Sequence, residues 1–402
     1  MKGYSNIPGL HLTVLRQLAF DYMAKAPKLY FTQMFPDTTI ASDEATWEVE
    51  LTSAGISPFV APGAPAPRVG IDGHTSGRAK VAYWKEKAYL DESFLNNLRR
   101  VGSFEKESAE KQMGRMLQKL VWRSMRRKEW MCAKAIVDGG FTYAAQNGVN
   151  FTVSYGRPAV NTLALSEDKK WGTGAQRNPI EDIYMVREHM QTLFGVNVDN
   201  MAMTSATLKK LVMDKELQGL LSKSAFGNGD LFARPAQVIG SLFGFGTVQV
   251  MDEMYDLNAW VMAVDGTNIV VDNATDFEVG ARLMVTKTDE RFRSEWRTIT
   301  AVNKQTNTLT IDAPFQNPPL AGRDKVEMQR KFMDDDTVVF TNPTHEGVPA
   351  NEFLQAPFGM DGHYGLYTDR KDEWDPDGVY IRVQDKGLPV LYNPQNTFTL
   401  KV

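Results

Sequence analysis

Cysteine is the scarcest residue in this sequence. Cys132 is the only cysteine among 402 residues, which excludes an internal disulfide framework and a zinc or iron–sulfur site built from several cysteines. Proteins without disulfides are typical of a reducing compartment. We therefore expect the chain to fold in the interior of a cell.

Long hydrophobic runs are also missing. No stretch of the sequence reaches the roughly 18 to 20 consecutive apolar residues that a membrane-spanning helix requires. Residues 1–23 are interrupted by His11, Arg16 and Gln17 before any cleavage pattern, so no signal peptide is predicted. The expected product is a soluble protein, or a component of a soluble assembly, with no membrane partner.

The sequence has no large excess of charge of either sign. Lysine and arginine number 45 against 49 aspartates and glutamates, a formal net charge of -4. The field of the whole molecule therefore does not favour nucleic acid over other partners, and any basic function must be local. Apolar residues at 43% and charged residues at 23% are ordinary for a globular protein. The length predicts two or three domains.

Recognisable catalytic and cofactor motifs are absent from the sequence. The glycine clusters at 227–230 and 240–246 match neither a Walker A loop nor a dinucleotide-binding fingerprint. Cys132 has no histidine near it in the sequence, so a buried, unreactive thiol is expected. The histidines are scattered singly, without the paired spacing of a zinc site: His11, His74, His189, His345 and His363. We predict no catalytic residue, no metal site and no cofactor.

Two acidic clusters are the remaining candidates for metal binding. Carboxylates at alternating positions before a glycine, as in residues 372–378, can hold calcium. Pro376 intrudes into this run, and Gln384 stands where an EF-hand has its bidentate glutamate, so a solvated turn is favoured. Residues 334–336 are three consecutive aspartates, which most simply cap the strand that follows them.

The first hundred residues predict a helix followed by extended chain. Apolar residues at helical spacing predict a short helix over residues 9–26. Residues 29–70 alternate β-prone runs with prolines, which fits an extended arm better than a domain. Residues 59–80 contain so much glycine and proline that no regular ladder is expected there, and a long projecting loop is predicted. Residues 81–91 alternate as in a strand.

Residues 103–137 form the longest periodic segment and predict a single strut-like helix of about 50 Å. Met113, Leu117 and Val121 belong to its apolar stripe. Its basic residues recur mainly at intervals of four: Arg115, Lys119, Arg123, Arg126, Arg127 and Lys128. This face could meet a phosphate backbone, or it could be a solvated face paired with carboxylates such as Glu105, Glu107 and Glu110. No recognition motif accompanies the charge, so sequence-specific reading of DNA is not expected.

The rest of the chain predicts mixed and then β-rich structure. A hairpin is expected around Asn147-Gly148, and a helix opened by Pro179 is followed by a short strand and a helix capped by Ser205. Residues 257–326 predict a small all-β insertion with a hairpin at Asp265-Gly266. The tail predicts two or three strands separated by Gly387 and Pro394.

This order of segments resembles the major capsid proteins of tailed bacteriophages, specifically the lambda-like major capsid protein E family. The order carries the resemblance, more than any single piece. The matching segments are LYFTQMFPDTTIAS, ISPFVAPGAPAPRVG, AYWKEKAYLDES, RRKEWMCAKAIVDGG, PIEDIYMVREHM, KFMDDDTVVFTN and LPVLYNPQNTF. The insertion at 257–326 departs from the shortest members of the family.

The resemblance implies an α+β protein with the Hong Kong 97 type phage capsid fold. In the terms of that fold, five parts are expected: an N-terminal extended arm (1–70), an E-loop (71–102), a peripheral P-domain with a long spine helix (103–175 and 373–402), an axial A-domain (176–256 and 327–372) and the inserted small β-domain (257–326). No residue can be matched to the covalent lysine–asparagine crosslink of some capsids, so noncovalent stabilisation is expected.

The resemblance also implies a function. We expect a major capsid protein whose copies form pentamers and hexamers of an icosahedral head, assembled in the host cytoplasm and enclosing double-stranded DNA. Scaffolding, portal and decoration proteins are the implied partners. Arg115, Lys119, Arg123, Arg126 and Arg127 are the candidates for a DNA-facing or intersubunit surface.

Two other functions stay open at the level of sequence. One is a metal-dependent hydrolase whose 257–326 module binds carbohydrate and whose Asp372, Asp375 and Asp377 bind a metal. The other is a phage tail or adaptor protein, which would form tubes or rings.

Overall fold

The structure is a computed structural model in which residues 7–50, 74–99, 104–144, 150–221, 228–286, 295–345, 347–375 and 377–402 are described. The predicted turn at Asn147-Gly148 and residues 59–73 of the predicted loop lie outside these ranges. Within the described residues no helix combines the length and the apolarity that a membrane crossing needs.

Helices and strands both contribute substantially to the described chain. The helices are α1 (Leu12–Ala24), α2 (Tyr30–Gln33), α3 (Glu92–Arg99), α4 (Phe104–Asp138), α5 (Pro179–Phe194), α6 (Ser205–Val212), α7 (Lys215–Leu221), α8 (Asn228–Ala233) and α9 (Pro235–Phe243). The strands are β1 (Asp37–Thr39), β2 (Glu44–Glu50), β3 (His74–Lys80), β4 (Ala82–Asp91), β5 (Gly140–Ala144), β6 (Asn150–Ser154), β7 (Thr162–Ala164), β8 (Asn200–Met203), β9 (Thr247–Val250), β10 (Met254–Asp265), β11 (Asn268–Val271), β12 (Arg282–Thr286), β13 (Trp296–Asn303), β14 (Thr308–Ile311), β15 (Lys325–Lys331), β16 (Thr337–Thr341), β17 (Thr344–His345), β18 (Val348–Pro349), β19 (Asn351–Gln355), β20 (Tyr367–Trp374), β21 (Asp377–Leu391) and β22 (Thr397–Lys401).

The chain forms two compact units. The first comprises Met1–Ile136, Phe194–Val196 and Asn342–Asn396, and the second comprises Val137–Leu193, Asn197–Thr341 and Thr397–Val402. The boundaries of these units differ from those of the predicted domains. The pairing of β19 with β21 lies within the first unit, whereas the pairing of β7 with β22 lies within the second.

The first unit is built around the 15-residue strand β21. β4 pairs with one side of it, β20 and β19 pair with the other, and β1 adds in parallel to β19. Because side chains alternate along a strand, Val379, Ile381 and Val383 all point into one core, where they meet Leu15 of α1 and Leu117 of α4. The predicted helix at 9–26 is confirmed as α1, and it belongs to this core.

A two-stranded ribbon in the first unit corrects the prediction for residues 74–80. This segment is β3, and it pairs in register with β2 from Glu44 opposite Lys80 to Glu50 opposite His74. Trp47 lies opposite Gly77, and a Cβ at Gly77 would fall 2.3 Å from Cε2 of Trp47. The glycine that argued against a ladder is therefore the residue that makes room for the indole.

The C-terminal strands also differ from the prediction. β21 runs without interruption through Gly387, which does not separate two strands. A Cβ there would lie 2.1 Å from Cε1 of Phe353, so the glycine allows close approach of the neighbouring strand β19. Pro394 does end the strand region, since a short 3₁₀ turn precedes β22.

The second unit contains a five-stranded mixed sheet in the order β7-β22-β16-β8-β9. The predicted helix at Pro179 and the short strand after it are confirmed as α5 and β8. The predicted cap at Ser205 is wrong by one residue: Ser205 is the first residue of α6, and the side chain of Thr204 accepts the hydrogen bond from the Thr207 N–H. β5 and β6 pair antiparallel on either side of the predicted turn at Asn147-Gly148, from Gly140 opposite Ser154 to Ala144 opposite Asn150.

The all-β insertion is a closed six-stranded barrel in the order β10-β11-β14-β13-β12-β15. Its core is apolar and includes Val261, Ile269, Leu283 and Leu309. The predicted hairpin is present, with Asp265 paired to Asn268 across a two-residue turn in which Gly266 has φ of +58°.

Candidate DNA-facing and intersubunit surface

The long helix α4 positions the predicted basic residues. Its 35 residues correspond to about 50 Å, as predicted. Met113, Leu117 and Val121 are buried along one side of its first half. From Glu129 onward nearly every residue is buried, including Cys132. Solvent therefore reaches the helix mainly before residue 129.

Four cations share one exposed side of this helix. Lys111, Arg115 and Lys119 are exposed and Arg126 is half-buried, and at 3.6 residues per turn they fall within about 80° of the helix circumference. Within the described part of the chain none of them has an ion pair or a hydrogen bond. We call these four residues the basic stripe; it spans roughly 22 Å along the helix axis.

The remaining predicted cations have partners inside the first unit. Arg123 donates two hydrogen bonds of 2.7 Å to the carboxylate of Glu86 on β4. Arg127 has its guanidinium carbon 5.3 Å from the centre of the Trp130 ring. Both side chains are half-buried, and their contacts belong to the packing of α4.

Lys128 is likewise held within the first unit. It forms an ion pair with Asp37, and its Nζ lies 4.2 Å from the centre of the Phe353 ring. Sequence reasoning missed Lys111, although it stands four residues before Arg115. The structure thus divides the predicted basic residues into two groups. Arg115, Lys119 and Arg126 belong to the basic stripe, and Arg123, Arg127 and Lys128 have partners within the first unit.

The carboxylates close in sequence on α4 are not the partners of the predicted basic residues that have an ion pair. Glu110 pairs with Lys106, at 3.7 Å, on its own helix. Arg123 pairs instead with Glu86, which is 37 positions away in sequence. Spacing along one helix could not predict this partner, because β4 reaches α4 only through tertiary packing.

A buried carboxylate on α4 fixes the start of the short helix α2. Glu129 accepts hydrogen bonds from the backbone N–H groups of Phe31 at 2.8 Å and Thr32 at 2.7 Å, and from the Thr32 hydroxyl at 2.6 Å. Burial, together with the charge of Glu129, raises the pKa of the Cys132 thiol and of the Tyr30 phenol. Cys132 is therefore a protonated, enclosed thiol, as expected.

A second buried carboxylate lies in the same unit. Asp385 of β21 is 5% exposed, and burial raises its pKa to about 6, partly offset by Lys128 and by the Lys386 N–H, which donates to its Oδ1 at 2.8 Å. No sequence signal marks this residue as buried, since it stands between the polar residues Gln384 and Lys386.

The first acidic cluster is paired with cations of the second unit. Asp334 accepts two hydrogen bonds of 3.0 Å from Arg330, and Asp335 accepts one of 2.9 Å from Lys331. Asp336 pairs with Lys210 and has φ of +67°. These contacts join the start of β16 to the barrel and to α6.

The second acidic cluster lies at the hairpin between β20 and β21. Asp372 is in β20 and pairs with Arg370, at 3.2 Å, and Asp377 opens β21 opposite Trp374. Among the described residues no three histidine, cysteine, aspartate or glutamate side chains lie close enough together to hold a metal ion.

Comparison with known proteins gives one family and several structural neighbours. The sequence model of the family described as phage major capsid protein E matches residues 21–271, which is more than half of the chain. No curated protein matches the sequence.

Among solved structures, the chain is similar to a phage-related protein from Bordetella bronchiseptica RB50, with a TM-score of 0.51 and 9% identity over 96% of each chain. It is also similar to a virus-like particle from Pyrococcus furiosus, with a TM-score of 0.42 and 11% identity over 97% of this chain and 99% of that one. The capsid of Cyanophage P-SCSP1u gives a TM-score of 0.43 and 11% identity over 93% of this chain and 88% of that one.

Proposed function

The chain belongs to the phage major capsid protein E family, and on this basis we propose that its copies close into the icosahedral head of a tailed bacteriophage and enclose packaged double-stranded DNA. The family match over residues 21–271 is the observation that carries this proposal. The family resemblance inferred from the order of segments is thereby confirmed.

The protein is a shell-forming major capsid protein, and its fold is the α+β, Hong Kong 97 type fold expected for one. The long helix α4, the sheet around β21 that covers it and the second, mixed sheet are all present. Its virion location follows from the family. Within this fold we retain the N-arm, E-loop, P-domain, A-domain and inserted β-domain, with the boundaries predicted above, as a proposal.

Contact with neighbouring copies is supported by unpaired strand edges and exposed apolar side chains. In the described part of the chain the β2–β3 ribbon consists of two strands, and the unpaired backbone groups at the edge of a sheet can pair with a strand of another chain. On α1, Leu12 and Phe20 are exposed and lie within about 80° of each other around the helix, and exposed apolar side chains on one side of a helix are typical of interaction surfaces. We propose that both the ribbon and this side of α1 are completed by other copies in pentamers and hexamers.

The basic stripe is the part of the chain that we propose to face the packaged DNA. Its support is the absence of carboxylate partners among the described residues for Arg115, Lys119 and Arg126, together with their alignment on one side of α4. Cations in such a row contact phosphates without reading bases. Arg123 and Arg127 are left out of this role, because they are engaged within the first unit.

The proposed assembly involves other proteins but no reaction catalysed by this chain. We propose a scaffolding protein, a portal and a decoration protein as partners, assembly in the host cytoplasm, and no enzymatic reaction. The family is a structural one, which supports the last point. Neither a hydrolase nor a tail or adaptor protein has an observation in its favour.

The segment between β2 and β3 offers the sharpest test of the proposed assembly. Replacing residues 61–72 with a short turn keeps both strands of the ribbon, whose pairing begins at Glu50 and His74. We expect a folded, soluble protomer that forms no shells, with circular dichroism and light scattering as the two measurements. Shells of normal size from this variant would show that the segment between β2 and β3 is not needed for contact between copies.

A further inference from the structure

The barrel of the second unit has an apolar surface that its own strands do not cover. Trp260 and Met262 flank Val261, which lies in the barrel core, and they are 43% and 56% exposed. The segment around Leu320 is fixed beside them, because the Gly322 N–H donates a 2.7 Å hydrogen bond to the Val261 carbonyl. Leu320 is 55% exposed. The backbone segments that carry these three exposed side chains therefore adjoin each other.

This surface also has a positive charge. Lys325 pairs with Trp260 across β10 and β15, and its Nζ lies 4.1 Å from the centre of the indole ring. No carboxylate pairs with Lys325 among the described residues. Asp272, which accepts a hydrogen bond from the backbone N–H of Trp260 at 2.9 Å, is an adjacent anion. We call Trp260, Met262, Leu320 and Lys325 the barrel patch; the cation that it offers to a partner is Lys325.

A groove elsewhere in the same unit has the opposite charge. It lies between α5 and α7 and has a volume of about 610 Å³. Tyr184 and Leu220 line it and are 51% and 48% exposed. Glu181 and Glu216 also line it, and in the described chain neither has a cationic partner. We call this feature the acidic groove.

We infer that the barrel patch of one copy docks into the acidic groove of the next copy. Trp260 and Met262 would cover Tyr184 and Leu220, and Lys325 would meet the two glutamates. Both surfaces combine exposed apolar side chains with unpaired charge, and their charges are opposite, which favours one register of contact over others. A second copy of this chain is the occupant of the groove, because the chain itself carries both complementary surfaces.

The contact would be heterologous, since different surfaces of the two copies meet. Heterologous contacts close into rings when the rotation between copies allows it, and each copy offers one patch and one groove. The barrel would then be an intersubunit clamp within a ring of the shell. This inference rests on the proposed function, because it requires many copies in one assembly.

Crosslinking in assembled shells tests the contact directly. Cys132 is fully buried, so thiols introduced by Tyr184→Cys and Met262→Cys are the ones that a short bismaleimide reaches. The expected result is a ladder of covalent multimers from the double variant. The control pair Tyr184→Cys with Lys304→Cys, whose second site is an exposed turn of the barrel, should give at least tenfold less. Intact shells of the double variant that yield only monomer would overturn the inference.

Charge reversal gives an independent readout. Glu181→Lys with Glu216→Lys should lower the yield of shells at least tenfold, and adding Lys325→Glu should restore at least half of the wild-type yield. Both glutamates lie in the first turn of a helix, where lysine also weakens the helix. Lys325→Glu cannot repair that weakness, so rescue isolates the contact.

Two outcomes separate this inference from the proposed function. Folded charge-reversed protomers that assemble as well as the wild type, or that are not rescued, overturn the docking of patch and groove while wild-type shells still form. Failure of the wild type itself to form shells contradicts the proposed function.

Discussion

The guanidinium of Arg123 is clamped to the carboxylate of Glu86, with Nε and Nη2 each 2.7 Å from an oxygen. This pair joins α4 to β4. Both side chains are about two-fifths exposed, so solvent screens the attraction and its contribution to stability is modest. The pair leaves the charge of Arg123 already compensated by a carboxylate of the same unit.

The first prediction concerns the energetic worth of this pair. Arg123→Ala should lower the free energy of unfolding by about 1 kcal/mol, since it removes a bidentate but half-exposed ion pair. Glu86→Ala should cost a similar amount, and the double variant should cost less than the sum of the two. Chemical denaturation of the four proteins measures this. Strictly additive effects would mean that the two side chains act separately.

The second prediction concerns the basic stripe. Replacing Arg115, Lys119 and Arg126 with alanine should weaken binding to duplex DNA and make the slope of log K against log salt less negative by about 0.9 for each phosphate that the variant no longer neutralises. Arg123→Ala is the matched control, because it removes one positive charge that is already paired with Glu86. An unchanged slope in the triple variant, or an equal change per charge in the control, would argue that the stripe is merely solvated.

The third prediction is a pH dependence set by Asp385. Its folded-state pKa of about 6 lies above the usual value near 3.9 for an exposed aspartate, so the folded protein binds the proton more tightly. The contribution of Asp385 to stability should therefore be greatest below about pH 4, fall as pH rises through about 6, and then level off.

Asp385→Asn tests that dependence, because asparagine keeps the acceptor for the Lys386 N–H and cannot ionise. The variant should match the wild type near pH 4 and exceed its unfolding free energy by up to roughly 3 kcal/mol above pH 6. Unfolding curves at pH 4.5 and 7.5 provide the comparison. A stability difference that is the same at both values would show that ionisation of Asp385 is not its cause.

The fourth prediction concerns the close approach at Gly387. Gly387→Ala should destabilise the first unit by about 1–3 kcal/mol, because the added methyl would lie 2.1 Å from Phe353 Cε1 and 3.0 Å from the Leu354 carbonyl oxygen. Gly219→Ala is the control. Its Cβ would meet nothing within 4 Å, and alanine is the better residue inside a helix by up to about 1 kcal/mol. Equal melting temperatures for the Gly387 variant and the wild type would contradict the packing described for β21 and β19.

Much of the fold could be predicted from local patterns. Helical periodicity located α1 and α4, and alternation located β4, because these patterns reflect a face that is buried along the element itself. The turn at Gly266 could also be predicted, because the Asp-Gly pair that favours it is a local feature of the sequence. Gly77 and Gly387 misled the prediction, because a glycine that disfavours a strand in isolation is required where Trp47 or Phe353 lies against the backbone.

The candidate site was only partly predictable. Spacing on α4 located Arg115, Lys119 and Arg126, since the exposed side of a helix is a local property. The same spacing could not show that Arg123 is engaged by Glu86 or Lys128 by Asp37, because those carboxylates arrive from other parts of the chain. Asp385 was invisible for a related reason: its burial depends on the packing of the whole sheet.

Assembly into a shell is the central claim, and electron microscopy of the purified protein, with light scattering for particle mass, tests it most directly. The protein should be expressed alone and then with its neighbouring genes. We predict closed shells of uniform diameter. A persistent monomer or small oligomer under every condition, or open tubes and rings in place of shells, would contradict the account.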